Sequence, residues 1–361
     1  MKIPWIRNFL DFSTAEPKNS IMTVSVRHVA RRARVSVGTV SNVLNRPEIV
    51  APATLQRVQH AMDELGFVSS SFVRKIHTSA KTLALLLPDV SNPLFTEIAR
   101  GAEDAANQNG YSLFLCNHDH SHEKERKYIQ TLASQNVQGI MIWPTKGKTD
   151  NLDFLRSNNI AVTLIDSNRY FDVHCSAKVD AHRGGHVAIQ HLVELGHQRI
   201  TYLYENTINQ FIERRIGAET AAAELGAELE LLEVPFATTH GGEIGAKKFL
   251  ESTSKSTAVF CGNDLMALGF MRVLIAGGVR IPEEISVIGF DDIELAPNAQ
   301  VPLTTVAQDG YQLGYTATEL AIQECELPDT HIHQHVLFQP ELIKRQSTSQ
   351  HPKIRDAISI A

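Results

Sequence analysis

Two short amphipathic segments separated by only two residues constrain this chain more than any other feature. Ser25 is placed to cap a helix carrying Val26, Val29, Ala30 and Ala33 on one face, and Ser36 to cap a second with Val40, Val43 and Leu44 turned inward. Only Arg34 and Val35 lie between them, which leaves room for a tight turn. Pro52 opens a third helix at its first-turn position; Leu55, Val58, Met62 and Leu65 recur on one face, and Gly66 ends it. Three such helices can close a small apolar core. A short second helix after a tight turn is the major-groove reader of helix-turn-helix units. Its outward positions are Val37, Gly38, Thr39, Ser41 and Asn42, flanked by the cap Ser36 and by Asn45. These are mostly small or hydrogen-bonding groups that can approach base edges and phosphates closely. A helical bundle with no nucleic-acid role is the competing reading of the same pattern.

Charge separates this segment from the rest. Between Met22 and Lys81 nine basic residues face three acids, leaving about +6, whereas the whole chain is formally −6. A basic head on an acidic body suits phosphate attraction by the head alone. At 361 residues the chain can hold two or three domains, and 43% hydrophobic residues allow a large core. No run of about 18 apolar residues is present, so no membrane span is expected. The first 21 residues lack a sustained apolar stretch and a small-residue cleavage site; they read as a disordered arm or a start-site extension, not a signal peptide. Cys116, Cys175, Cys261 and Cys325 are widely spaced with no C-x-x-C pair, as expected of free thiols in a reducing cytoplasm.

From residue 82 apolar runs alternate with amphipathic stretches of helical length. Leu83 to Leu87, Tyr111 to Cys116, Gly139 to Trp143 and Ala161 to Ile165 read as buried strands, with helices over Phe95 to Gln108 and Glu123 to Gln135 between them. The alternation restarts near Lys178: helix His182 to Leu195, strand Ile200 to Tyr204, helix Arg214 to Leu225, strand Leu229 to Val234, helix Gly242 to Leu250, strand Ala258 to Cys261, helix Asp264 to Ala276 and strand Ser286 to Phe290. This is the βαβ signature of parallel sheets covered by helices, in two successive lobes. Periodicity leaves open which lobe the final helix, Tyr311 to Gln323, joins.

The pattern V-A-x-x-A-x-V-S-x-x-T-V-S-x-V-L-N over Val29 to Asn45, and P-x-T-x-x-x-V-x-x-A-M-x-E-L-G-F over Pro52 to Phe67, resemble the DNA-binding domain of the lactose-repressor/galactose-repressor family. The similarity runs on to about residue 346 through D-x-S-N-P-x-F at Asp89, L-x-x-L-G-H-x-R-I at Leu192, R-x-x-G at Arg214, N-D-x-M-A-x-G at Asn263 and S-V-I-G-F-D-D at Ser286. The sequence departs from the family at Arg34, where Gly is common, and at Ala51, where a capping Ser is usual. The resemblance implies a two-lobed, periplasmic-binding-protein-like α/β core in which the chain crosses between lobes three times. It also implies a hinge in which Arg74 meets phosphate and the apolar Ile76 wedges into the minor groove. In the hinge, Ser69 and Ser70 replace the family's Pro-Asn.

The resemblance further assigns the effector to positions corresponding to Arg214, Asn263 and Asp291. Independently, Asn92, Asn263 and Asp291 each follow a predicted strand, where open α/β lobes bind ligands. Arg214 offers a planar donor fork, Asp291 accepts paired hydroxyls and Asn263 does both, while Phe95 offers an apolar face. This set suits a sugar and also fits a purine; each residue could instead serve as a helix cap or an interlobe salt bridge.

Two histidine clusters, His118, His120 and His122 with Asp119, and His331, His333 and His335, have the look of metal ligands. They read as solvated loop residues and as edge-strand residues that alternation places on one strand face, so no metal and no cofactor is expected. The absence of a G-x-S-x-G elbow or a phosphate loop argues against an enzyme. The expected organisation is an arm (1–21), a helix-turn-helix domain (22–68), a hinge (69–81), a two-lobed effector-binding and dimerisation domain (82–346) and a flexible tail (347–361). The expected function is a cytoplasmic transcriptional repressor, a homodimer on a near-palindromic operator in double-stranded DNA, controlled by a small molecule, a sugar first. A solute-binding protein for transport is the runner-up, disfavoured by the basic head and the lack of a signal peptide. A sugar-active enzyme lacks a catalytic pair.

Overall fold

The first helix, α1 (Val26–Ala33), starts at Ser25, whose backbone N–H is met at 3.1 Å by the His28 ring. It ends on Arg34 in the left-handed conformation (φ 54°, ψ 48°), the geometry that closes the two-residue turn. That conformation costs a non-glycine residue about 1 kcal/mol. Helix α2 (Val37–Asn45) is capped by the Ser36 side chain, which accepts from Thr39 N at 3.0 Å. Helix α3 (Pro52–Leu65) begins on its proline and ends on Gly66, also left-handed. Val29, Ala30, Ala33, Val40, Val43, Val58 and Ala61 form their common core. The computed structural model describes residues 24–67, 81–145, 150–167 and 173–351. The chain divides into two compact units at residues 80 and 81.

The second unit holds two six-stranded sheets. In the first, all strands run parallel in the order β11 (His335–Phe338), β5 (Cys175–Val179), β4 (Ala161–Ile165), β3 (Gly139–Ile142), β1 (Thr82–Leu87) and β2 (Ser112–Asn117). The run TLALLL explains why β1 is central: Leu83, Leu85 and Leu87 pack toward α4 (Pro93–Gln108) and α11 (Gly310–Glu326). Ala84 and Leu86 pack on the other side against α5 (His122–Ser134) and α6 (Asp150–Ser157). A strand buried on both faces is apolar throughout, as parallel sheets require.

The second sheet runs β12 (Glu341–Ile343), β10 (Thr304–Ala307), β9 (Ser286–Asp291), β8 (Ala258–Cys261), β6 (Arg199–Tyr204) and β7 (Glu228–Glu233), with only β12 antiparallel. Helices α7 (Ala181–Glu194), α8 (Asn209–Leu225), α9 (Thr239–Glu251) and α10 (Asp264–Ala276) cover it in two pairs. Helices α7 and α8 meet through glycines. A Cβ on Gly185 would lie 1.9 Å from the Arg214 carbonyl oxygen, and one on Gly217 would lie 1.8 Å from that of His182. The glycine of the R-x-x-G motif is therefore a close-packing residue that seats Arg214.

The chain passes between the sheets three times, after β5, after β10 and after β11. The final helix α11 packs on α4 and so joins the first lobe. Several expectations are corrected. Lys178 lies in β5, a strand of the first sheet, so it does not begin the second lobe. Helix α8 begins five residues before Arg214, because the Glu205 carboxylate accepts from Thr207 N and Ile208 N and organises its approach. The tail expected to be flexible from 347 is packed through His351. Ser347 is buried, accepts from Thr304 N and donates to Val287 O, and His351 N donates to Leu195 O. Among the described residues no helix is long and apolar enough to cross a membrane.

Candidate functional site

On α2 the residues picked out for DNA contact lie largely outward. Ser36, Gly38, Ser41, Asn42 and Asn45 are exposed, and Val37 keeps 48% of its surface. Thr39 is half-buried, its hydroxyl 2.9 Å from that of Ser36. Asn45 is turned back on its own helix, its amide donating to Ser41 O at 3.0 Å, whereas Asn42 and Gly38 stand exposed on that face. Arg32 and Glu64 tie α1 to α3 at 2.6 Å. Arg74 and Ile76 fall outside the described residues.

In the second unit all five expected effector residues line one cavity of about 390 Å³ between the two lobes. Three of them sit at ends of elements. Asn92 caps α4, its side-chain oxygen accepting from Leu94 N at 3.1 Å. Asn263 caps α10, accepting from Met266 N at 2.9 Å, while its amide donates to Ala237 O at 3.0 Å. Both asparagines thus do the capping work that is the plainer reading of them, and each keeps part of its hydrogen-bonding capacity. Asp291 ends β9 with φ 115°, an unusual backbone for a non-glycine residue and one that clusters at ligand sites. Its Oδ1 accepts from Gln308 Nε2 at 2.6 Å and lies 3.6 Å from Arg214 Nη2.

Burial pushes the Asp291 carboxyl up to about 7, although Arg214 and Gln308 pull it back. Arg214 is buried in turn: it donates to Gly262 O, its guanidinium sits 3.5 Å from the Phe290 ring centre, and its Nε has no partner in the protein. One arm of its fork is therefore spent on Gly262 and the other faces Asp291. Arg214 organises the cleft floor and holds Asp291, and its Nε–H stays unpartnered. The neighbouring Asp292 faces away and pairs with Arg345 at 2.6 Å, which separates the roles of the two acids in the F-D-D motif.

Much of the wall is not visible in the sequence pattern. Phe95 meets Trp143 edge to face at 5.0 Å, and Phe211 and Phe236 add further aromatic surface. Asp89, Asp119, Glu205, Thr207, Gln210 and Thr238 supply polar groups. Trp143 reads from sequence only as a strand end, and the residues from 205 to 210 come largely from a loop with no periodic signal. Of the histidines near 120, His120 is an exposed loop residue as expected, though it also lines the cavity. The other two are not solvated: His118 is buried with Nε2 2.9 Å from Trp143 O, and His122, half-buried at the start of α5, bonds to Asp150 at 2.9 Å. Nor do the three later histidines share a strand face. His335 begins β11 beside Ser176, whereas His331 and His333 precede the strand and stand 3.0 and 3.9 Å from the Cys175 sulfur.

The comparisons with known proteins agree on both units. Residues 25–70 match the model for bacterial regulatory proteins of the lacI family, and residues 189–348 match a periplasmic binding protein-like domain. The chain is 32% identical over 331 residues to the HTH-type transcriptional repressor PurR of Photobacterium profundum, covering 90% of this chain and 98% of that one. The chain belongs to the LacI family. It is also 31% identical over 332 residues to the transcriptional regulator RegA of Clostridium saccharobutylicum, covering 91% of this chain and all of that one. Among solved structures, a LacI-family regulator from Enterococcus faecium with bound ribose is 30% identical with a TM-score of 0.69, over 75% of this chain and all of that one. The lac repressor dimer bound to operator and the anti-inducer ONPF is 25% identical with a TM-score of 0.72, over 90% and 99%. As a LacI-family member this protein is a DNA-binding transcriptional regulator and not an enzyme.

Proposed function

We propose that this regulator is a homodimeric repressor that reads a near-palindromic operator and responds to a neutral, polyhydroxylated ligand, a sugar, held between its lobes. The observation that carries the ligand class is the charge of the cavity. Asp89, Asp119, Glu205 and Asp291 line it against a single guanidinium, Arg214, already committed to Gly262, Asp291 and Phe290. Such a lining accepts hydroxyl donors and repels anions, so a free sugar fits and a sugar phosphate does not. The Phe95–Trp143 pair offers an apolar wall to the face of a sugar ring. In this reading Asn92, Phe95, Arg214, Asn263 and Asp291 contact or shape the ligand site.

DNA contact falls to Ser36, Val37, Gly38, Thr39, Ser41, Asn42 and Asn45 on the helix-turn-helix domain (22–68), and to Arg74 and Ile76 in the hinge (69–81). Residues 82–346 form the effector-binding and dimerisation domain. Phe114 and Leu115, 46% and 51% exposed on the edge strand β2, are apolar side chains of the kind a second copy would cover.

Calorimetric titration of the full chain with ribose, glucose, cellobiose, glucose 6-phosphate and hypoxanthine tests the ligand class. Saturable binding of a neutral sugar with none for the phosphate is expected. Binding confined to the phosphate or to the purine would overturn it.

A further inference from the structure

On the first lobe, away from the effector cavity, four side chains converge that the regulator's known function does not use. Cys175 opens β5, Glu324 lies in the last turns of α11, and His331 and His333 come from the segment before β11. One candidate ligand atom from each lies within 4.8 Å of all the others. The Cys175 sulfur is 3.0 Å from His331 Nε2 and 3.9 Å from His333 Nδ1. A tetrahedral zinc ion with Zn–S near 2.3 Å and Zn–N near 2.0 Å sets these separations at about 3.5 Å, so the observed pair brackets the required value. Glu324 Oε2 is buried with no hydrogen-bond partner in the protein. A buried carboxylate oxygen left orphaned beside a thiol and two imidazoles is costly unless something else satisfies it.

The backbone is also aimed at the sulfur. Gln334 N–H points at the Cys175 sulfur at 3.4 Å, and Gln334 is fixed in turn by its side-chain bond to Gln323 at 3.1 Å. Groups that orient the ligands from behind are a regular part of metal sites. A cavity of about 570 Å³ lined by Glu324, His333 and Cys325 opens beside the cluster and gives an ion a route in.

We propose that Cys175, Glu324, His331 and His333 form a zinc-class metal site. One sulfur, two imidazole nitrogens and one carboxylate oxygen make a mixed donor set that suits Zn(II) or Co(II) over the hard cations Mg(II) and Ca(II). A bound ion would tie the end of α11 and the segment before β11 to the first residue of β5.

The test uses full-length protein stripped with a chelator and titrated with Co(II). One equivalent should bring up a thiolate-to-cobalt charge-transfer band together with the visible bands of a tetrahedral ion, and Zn(II) should displace both. Cys175→Ser should abolish the charge-transfer band, and His333→Ala should weaken Co(II) binding by about 100-fold or more. Cys325→Ser, the nearest alternative thiol, should leave the spectrum intact. No charge-transfer band in the parent protein, or a band that survives Cys175→Ser, would overturn the proposal, as would loss of the band in Cys325→Ser alone. If Cys175→Ser does not fold, His331→Ala and His333→Ala decide: unchanged Co(II) affinity in both refutes the site.

Discussion

Replacing Asp291 with asparagine removes one buried charge and keeps the shape. The carboxyl is buried at the cleft floor and its pKa is raised from 3.8 to about 7. In the unfolded chain it would titrate near its ordinary value, so between pH 4 and 7 the folded state binds the extra proton. Its contribution to stability is therefore full below pH 4 and is lost as pH rises through 7. Each pH unit that separates the folded pKa from the unfolded one is equivalent to about 1.4 kcal/mol. Between pH 5 and pH 8 this one group should therefore cost the parent protein roughly 2–3 kcal/mol. Asp291→Asn cannot titrate, so its loss of stability over the same interval should be smaller by that amount.

Ligand binding should show the opposite sense. Hydroxyl donors favour the ionised carboxylate, so sugar affinity of the parent should rise about tenfold from pH 6 to pH 8. The variant should bind weakly at both. Denaturant unfolding of the effector core at pH 5 and pH 8, parent against variant, isolates Asp291 from Asp166 and Glu324, which burial also raises, to about 6 and about 7. Equal pH dependence in the two proteins would refute the assignment of a buried, proton-holding Asp291.

Three further outcomes follow from the packing and the head. Gly185→Ala should destabilise the core by about 1–3 kcal/mol and weaken ligand binding, because its Cβ would run into the Arg214 carbonyl and force α7 and α8 apart; chemical unfolding and calorimetry check both. Arg34→Gly should stabilise the helix-turn-helix unit by about 1 kcal/mol, seen as roughly fivefold slower hydrogen exchange of its core amides with DNA affinity kept. Asn42→Ala should change the base preference recovered by selection from random DNA, since Asn42 is exposed on the reading face; an unchanged consensus would remove it from base contact.

Strong local patterns are legible in the sequence and weak ones are not. The helix-turn-helix spacing, the helix starts at Ser25 and Ser36 and the continuous apolar run of β1 are local, and each lies where the sequence puts it. Strands β10, β11 and β12 are three or four residues long, too short for alternation to register, and they border two of the three crossings between lobes. Asn92 and Asn263 are legible because strand ends and helix caps coincide at the cleft. Glu205, which lines it, and Gln308, which holds Asp291, are not, because they come from irregular connections. Arg214 reads from sequence as a free donor fork; only the packing of α8 against Phe290 and Gly262 reveals how much of it the protein already occupies. The Cys175 cluster gathers residues up to 158 positions apart, a proximity set by the pairing of β11 with β5.

In the proposed function a neutral sugar in the cleft changes the protein's affinity for its operator. The most direct measurement is the dissociation constant of the full-length protein for its selected operator, at fixed salt, with and without saturating sugar, for the parent and for Asp291→Asn. A shift of about 5–150-fold in the parent, none in the variant, and equal affinities of the two proteins without sugar are the expected results. An operator affinity that saturating sugar leaves unchanged in the parent would refute control of DNA binding by a sugar.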